Sequence, residues 1–124
     1  MPKNKKILLI EDDEMISSMY KTKLEADGME VVVAVNGSQG LEMAEKEKPG
    51  LIILDVMLPM LDGFSVLAKI KEIKGLAKVP VIMLTNLGTE EDKKKGEDLG
   101  AIDYLVKSSL TPAQVNEKVK KYIK

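Results

Sequence analysis

Leu51-Ile52-Ile53-Leu54-Asp55 is four consecutive large aliphatic residues running straight into one carboxylate. A run apolar on both alternating faces suits a strand buried on both sides, as in a parallel sheet covered by helices. Its last residue is then the exception. In open α/β sheets the chemistry sits in the crevice beyond the carboxyl ends of the strands, so an acid at that position reads as part of a site.

Outward from this run the chain alternates strand and helix patterns. Upstream, Lys6-Ile7-Leu8-Leu9-Ile10 is a short buried-strand run that ends in Glu11-Asp12-Asp13-Glu14. From Asp13 the apolar spacing turns helical, with Ile16, Met19, Tyr20 and Leu24 on one face, and Gly28 is the expected C-terminal stop. Val31 to Ala34 reads as a second strand, Asn36-Gly37 as a turn, and Leu41 and Ala44 as part of a second helix that ends before Pro49. Downstream of Asp55, Pro59 and Asp62-Gly63 make a loop, and Phe64, Leu67, Ile70 and Ile73 mark a third helix.

Val79 to Leu84 is the fourth strand, followed by Thr85 and Asn86, with Pro80 tolerable near the strand start. Thr89 caps a fourth helix that has few apolar residues and carries Gly96 inside, at a cost of roughly 1 kcal/mol relative to alanine. This helix is expected to be the least firmly held. Gly100 closes it, Ala101 to Val106 is a fifth strand ending at Lys107, and Thr111-Pro112-Ala113-Gln114 is a capping box with proline at the first helical position. Val115, Val119, Tyr122 and Ile123 supply the buried stripe of the last helix.

Five strand-helix units in succession predict an α/β fold: a doubly wound five-stranded parallel sheet with helices on both faces. Five units favour the flavodoxin-like strand order 2-1-3-4-5. That order sets the ends of strands 1, 3, 4 and 5 side by side. Glu11, Asp12, Asp55, Thr85 and Lys107 would then line one rim.

Composition narrows the chemistry of this rim. The chain has 124 residues, 44% of them hydrophobic and 31% charged, which fits one soluble domain over residues 1–124. Its apolar runs are too short to cross a bilayer, and the start has no leader-like apolar segment, so a cytoplasmic location without membrane contact is expected. Cysteine and histidine are both absent, which removes thiolate catalysis, disulfides, the commonest general base and the usual zinc ligands. All 19 basic residues are lysines in a chain of net charge −1, so bidentate guanidinium readout of bases is not available and no direct nucleic-acid contact is expected. Lys93-Lys94-Lys95 is surrounded by acids and reads as a solvated helix face.

Clustered carboxylates repel one another unless protons or a cation offset the charge. Oxygen-only ligands point to a hard divalent ion, and magnesium typically takes one or two carboxylates plus a phosphate while keeping several waters. Asp55 is the candidate nucleophile, since a carboxylate can attack phosphorus to form an acyl phosphate. Lys107 can pair with the transferred phosphoryl oxygens, and Thr85 can donate a hydrogen bond to one of them.

These segments together resemble the receiver domains of two-component response regulators, including the stand-alone chemotaxis regulator. Ile7 to Asp13 is similar to the family's first strand and acidic pair, and Leu51 to Gly63 to its phosphoacceptor segment. Val81 to Thr85 and Gly100 to Lys107 match its last two landmarks. The resemblance implies a phosphorylation-operated switch, a regulator that catalyses only its own phosphorylation and dephosphorylation. Asp55 would take a phosphoryl group from a sensor histidine kinase or phosphotransfer protein. Asp12, Asp55 and the backbone carbonyl of Met57 would hold Mg2+ (or Mn2+), with Glu11 reaching it through water. Thr85 and Tyr104 would be the switch pair. With no output domain expected after the fifth helix, the signal would pass to a protein partner.

Two positions depart from the family pattern. Ser108 follows Lys107 where the family commonly has a proline joined by a cis bond, so either a trans bond with a shifted loop or a strained cis bond is expected. Asn86 stands where a small residue usually follows the threonine, and its amide would either narrow access to Asp55 or hydrogen-bond to the phosphoryl group; with Met57 and Leu87 as large flanking side chains, the phosphorylated form is expected to be long-lived. Three rival functions have separate signatures. A flavodoxin-like nucleotide binder would need a Gly- or Ser-rich loop after strand 1, where Glu11-Asp12-Asp13 stands. A phosphatase of the haloacid dehalogenase type would need a second aspartate where Met57 stands, and a non-phosphorylated receiver-like scaffold would not need every site position filled.

Overall fold

The structure, a computed structural model, describes residues 4–123. The expectations that involve Met1 to Lys3 and Lys124 lie outside the described residues. The strands are β1 (Lys6–Ile10), β2 (Glu30–Ala34), β3 (Leu51–Leu54), β4 (Val81–Thr85) and β5 (Asp103–Val106). They alternate with α1 (Glu14–Ala26), α2 (Gly37–Glu47), α3 (Gly63–Glu72), α4 (Glu90–Asp98) and α5 (Pro112–Tyr122). All four strand pairings are parallel and the order is β2-β1-β3-β4-β5, as the alternation predicts. β3 is central, with Leu54 level with Ile10 on one side and with Met83 on the other.

The two-residue period of the strands divides the core into two layers. Leu8, Ile10, Ile52, Leu54, Val81 and Met83 face α2 and α3, where they meet Ala44, Phe64, Val66, Leu67 and Ile70. Ile7, Leu9, Leu51, Ile53, Ile82 and Leu84 face the opposite way, toward Tyr20 and Leu24 of α1 and Val115 and Val119 of α5. Every residue of β3 is buried because each layer claims alternate side chains. Among the described residues no helix is long and apolar enough to cross a membrane.

Helix starts follow their caps. The Ile16 amide donates to Asp13, the Ser65 amide to Asp62 and the Asp92 amide to Thr89, each filling a donor that the first turn leaves unpaired. The capping box of α5 forms as read, with the Gln114 amide on Thr111 and the Thr111 amide on Gln114. Gly28, at φ +89°, ends α1 in the left-handed conformation that glycine adopts without strain.

Several local expectations are corrected. Met19 is 38% exposed, and Ser17 takes a buried place on the inner face of α1, its hydroxyl donating to the Glu14 carbonyl. Asn36 is the N-cap of α2 rather than part of a free turn, because its side chain accepts from the Gln39 amide at 2.8 Å. Gly37 opens that helix where a Cβ would come 2.7 Å from Val66 and 2.8 Å from the Leu61 carbonyl, so its glycine serves helix packing. β4 begins at Val81, although the Pro80 carbonyl still accepts from the Ile52 amide at 3.0 Å. Tyr122 is only half-buried at the end of α5, while Asn116 is buried beside Val115. No peptide bond among the described residues is cis, and the chain after β5 turns at once into a 3-10 turn, Lys107–Ser109. Of the two alternatives at Lys107-Ser108, the trans bond is the one found.

Candidate functional site

The sheet ladder carries two acids to the rim. Beyond the last paired residues of β1 and β3, the Glu11 amide donates to the Ala34 carbonyl at 3.0 Å and the Asp55 amide to the Ile10 carbonyl at 3.1 Å. Their backbones therefore belong to the rigid sheet, while their side chains stand in the crevice. Asp55 is 5% exposed. The loop that follows is tight: the Leu58 and Gly63 amides both return to the Val56 carbonyl, and Met60 sits at φ +65°. Gly63 opens α3 directly over this turn, where a Cβ would meet the Asp55 carbonyl at 2.2 Å.

Lys107 joins the two acids. Its ammonium donates to Glu11 Oε2 at 2.6 Å and to Asp55 Oδ2 at 2.7 Å, and all three side chains are largely removed from solvent. The remaining oxygens are also used: Asp55 Oδ1 accepts from the Met57 amide at 3.0 Å, and Glu11 Oε1 from the Asp13 amide at 3.1 Å. Asp12 is exposed at the edge of the group, and Glu11, Asp12 and Asp55 can each place one carboxylate oxygen within 4.8 Å of the others. This all-oxygen donor set fits a hard divalent cation.

Burial, first of all, raises the Glu11 carboxyl, to about 7, with the charge of Asp55 adding to it and the Lys107 hydrogen bond opposing. Burial acts on Asp55 in the same direction. There, the Lys107 and Met57 hydrogen bonds and the Lys107 charge outweigh it, with a smaller contribution from Thr85, and Asp55 stays below the usual carboxylate range. Lys107, although burial opposes its charge, is held above its ordinary value by its bonds to Asp55 and Glu11. Lys107 and the Met57 amide thus favour the ionised form of Asp55, while burial disfavours that of Glu11.

Thr85, 0% exposed, ends β4, and its Oγ1 accepts from the Leu87 amide at 3.4 Å. The Tyr104 hydroxyl, from β5, donates to the carbonyl of the same Leu87 at 2.6 Å. The Tyr104 phenol is pushed up to about 12, chiefly by burial and then by the charges of Asp92 and Asp55. Sequence reasoning treated Leu87 only as a bulky side chain. Its peptide group is where the two candidate switch residues meet, and a backbone contact of that kind leaves no mark in residue types.

All the site residues read from the sequence gather at one rim, with two qualifications. Met57 is 57% exposed and contributes its amide to Asp55, and Asn86 is exposed without a hydrogen bond to Asp55 among the described residues. A cavity of about 610 Å3 lies at the opposite end of the sheet beside Pro49, Lys74 and Lys78, away from this chemistry.

Residues 7–120 match the family model of the response regulator receiver domain. The chain is 44% identical over 117 residues to the alkaline phosphatase synthesis transcriptional regulatory protein PhoP of Bacillus subtilis, covering 94% of this chain and 48% of that protein. It therefore spans about half the length of the curated relatives it matches. Its fold superposes on Vibrio cholerae chemotaxis protein CheY4 with a TM-score of 0.88 at 29% identity, covering 94% of this chain and 97% of that one. It is equally similar to the receiver domain of the sensor histidine kinase PA1611 from Pseudomonas aeruginosa, with a TM-score of 0.87, 28% identity and coverage of 97% and 98%, in a structure with a magnesium ion coordinated in the active site cleft. The acid-lined rim, the strand order and these likenesses agree: the chain belongs to the response regulator receiver domain family.

Proposed function

We propose that the chain is a single receiver unit that takes a phosphoryl group onto Asp55 from the phosphohistidine of a sensor histidine kinase or phosphotransfer protein. The observation that carries this reading is the Lys107 ammonium held between Asp55 at 2.7 Å and Glu11 at 2.6 Å, at the end of the central strand. A carboxylate kept ionised in a buried crevice, with a cation beside it, is prepared to attack phosphorus. An Asp55 oxygen forms the new O–P bond as the P–N bond of phosphohistidine breaks and imidazole leaves. Lys107 then pairs with a phosphoryl oxygen, and Thr85 donates its hydroxyl to another.

Asp12, Asp55 and the Met57 carbonyl would hold Mg2+ or Mn2+, with Glu11 acting through water. When bound, the ion offsets the charge that gathers on the phosphoryl oxygens. Thr85 can donate its hydroxyl to the phosphoryl group while its Oγ1 still accepts from the Leu87 amide, so a shift of Thr85 toward Asp55 pulls on Leu87, which is also the partner of the Tyr104 hydroxyl. A change at Asp55 is thereby passed to the β4–α4 loop and to a protein that reads the adjoining surface. Met57 and Asn86, both exposed beside the crevice, support slow loss of the phosphoryl group to water.

The test is to incubate the protein and Asp55→Asn with a small phosphodonor such as acetyl phosphate, with and without magnesium, and to weigh both. Wild type is expected to gain one phosphoryl group only when magnesium is present, and the variant none. No gain in wild type, or an equal gain in the variant, would overturn the reading.

A further inference from the structure

Within α4 only Gly96 is buried. Helix propensity alone favours alanine over glycine at an interior position by about fivefold in the folding equilibrium. Gly96 is not among the residues of positive φ, so its backbone does not require glycine. The surroundings do. A Cβ at Gly96 would lie 2.9 Å from Cδ2 and 3.3 Å from Cε2 of the Tyr104 ring, and 3.5 Å from Cγ of Met83.

The Tyr104 ring is poorly placed to yield. Its backbone is in β5, level with Met83, and its hydroxyl is tied to the Leu87 carbonyl at 2.6 Å. A ring held at both ends moves only by releasing Leu87 or by carrying α4 with it. Few other contacts compete for α4. The Lys95 ammonium lies 4.7 Å from the centre of the Phe64 ring on an otherwise exposed residue, and Leu99 follows as the half-buried C-cap.

We propose that Gly96 is a positioning residue of the switch: its bare Cα is the seat for the Tyr104 ring, so that ring position and helix position change together. This rests on the reading of Thr85 and Tyr104 as the switch pair and adds the contact by which Tyr104 moves a helix. Glycine at this position weakens its own helix and leaves the space that the ring fills.

A double-mutant cycle on the full chain tests this, using urea unfolding of wild type, Gly96→Ala, Tyr104→Ala and the double variant. With Tyr104 present, alanine at 96 is expected to lower the folding equilibrium severalfold; with Tyr104 removed, it is expected to raise it about fivefold, as propensity dictates. An equal gain in both backgrounds overturns the seat.

A second readout reports position rather than stability. In protein labelled with 3-fluorotyrosine, the Tyr104 fluorine resonance, assigned by its loss in Tyr104→Phe, is expected to shift in Gly96→Ala while those of Tyr20 and Tyr122 stay. It should also respond less than in wild type to magnesium with beryllofluoride. An unmoved Tyr104 resonance and an unchanged response overturn the proposal even where Tyr104→Ala does not fold. The two readings fail separately: an Asp55 that takes no phosphoryl group removes the switch chemistry, whereas normal phosphorylation without coupling in the cycle removes only the seat.

Discussion

The carboxyl end of β3 and the helix α4 stand on neighbouring strand-helix units and are built in opposite ways. Leu51 to Leu54 are buried from both faces, Asp55 continues their ladder, and its carboxylate is held by Lys107 and the Met57 amide. Along α4, Glu90 to Asp98, the residues are charged except for Gly96, the one buried residue of the helix, which faces the Tyr104 ring and Met83. A nucleophile needs a position that does not drift, and a surface that reports on it needs to move at low cost. Under the proposed function, the contrast would put the chemistry on β3 and the readout on α4.

The largest expected effect sharpens the fixed half. Ile53→Ala empties a place sealed between α1, α5 and the sheet and should cost about 4 kcal/mol in urea unfolding. Lys94→Ala, on exposed α4, should stay within about 0.5 kcal/mol. Similar costs at the two positions would break the comparison.

Next is Lys107→Met. It leaves the Asp55 and Glu11 carboxylates facing each other in a crevice that excludes solvent, and without divalent cation it should cost about 3 kcal/mol, the low end for a broken buried pair. If unfolding in EDTA barely changes, Lys107 is not what holds the two acids together.

How far this was legible in the sequence follows from what each residue contacts. Leu51-Ile52-Ile53-Leu54 declared a central strand because both its faces are buried, and the strand order then brought Glu11, Asp12, Asp55, Thr85 and Lys107 to one rim. Those signals lie in residue type and spacing. Buried polar groups were missed because their partners are remote. Asn116 of α5 donates to the Lys23 carbonyl at 3.0 Å and to Asp27 at 2.9 Å, across 93 and 89 positions of chain. The bridge that Lys107 makes between the Glu11 and Asp55 carboxylates is likewise not marked in the sequence, where the residues stand 96 and 52 positions apart. The glycine in α4 registered as a local weakness, since helix propensity carries no information about a ring arriving from β5.

The smallest effect concerns the tie between α1 and α5, both on the fixed side. Asp27 is held below the usual carboxylate range, first by the Asn116 hydrogen bond and then, against slight burial, by Lys120. A depressed carboxyl contributes stability that is present above its unfolded pKa of about 3.9 and is lost as pH falls through the folded value. Asp27→Asn should therefore flatten the decline of stability below about pH 4, read from urea midpoints at successive pH values. An unchanged slope would remove Asp27 from the account.

The most direct test of the division between chemistry and readout is amide hydrogen exchange before and after stoichiometric phosphorylation by a small phosphodonor. The amides of Ile52 to Asp55 are expected to keep their protection, while those of Leu87 and of α4 change theirs. Altered exchange spread evenly over the sheet, or none in α4 with Asp55 fully phosphorylated, would contradict the account.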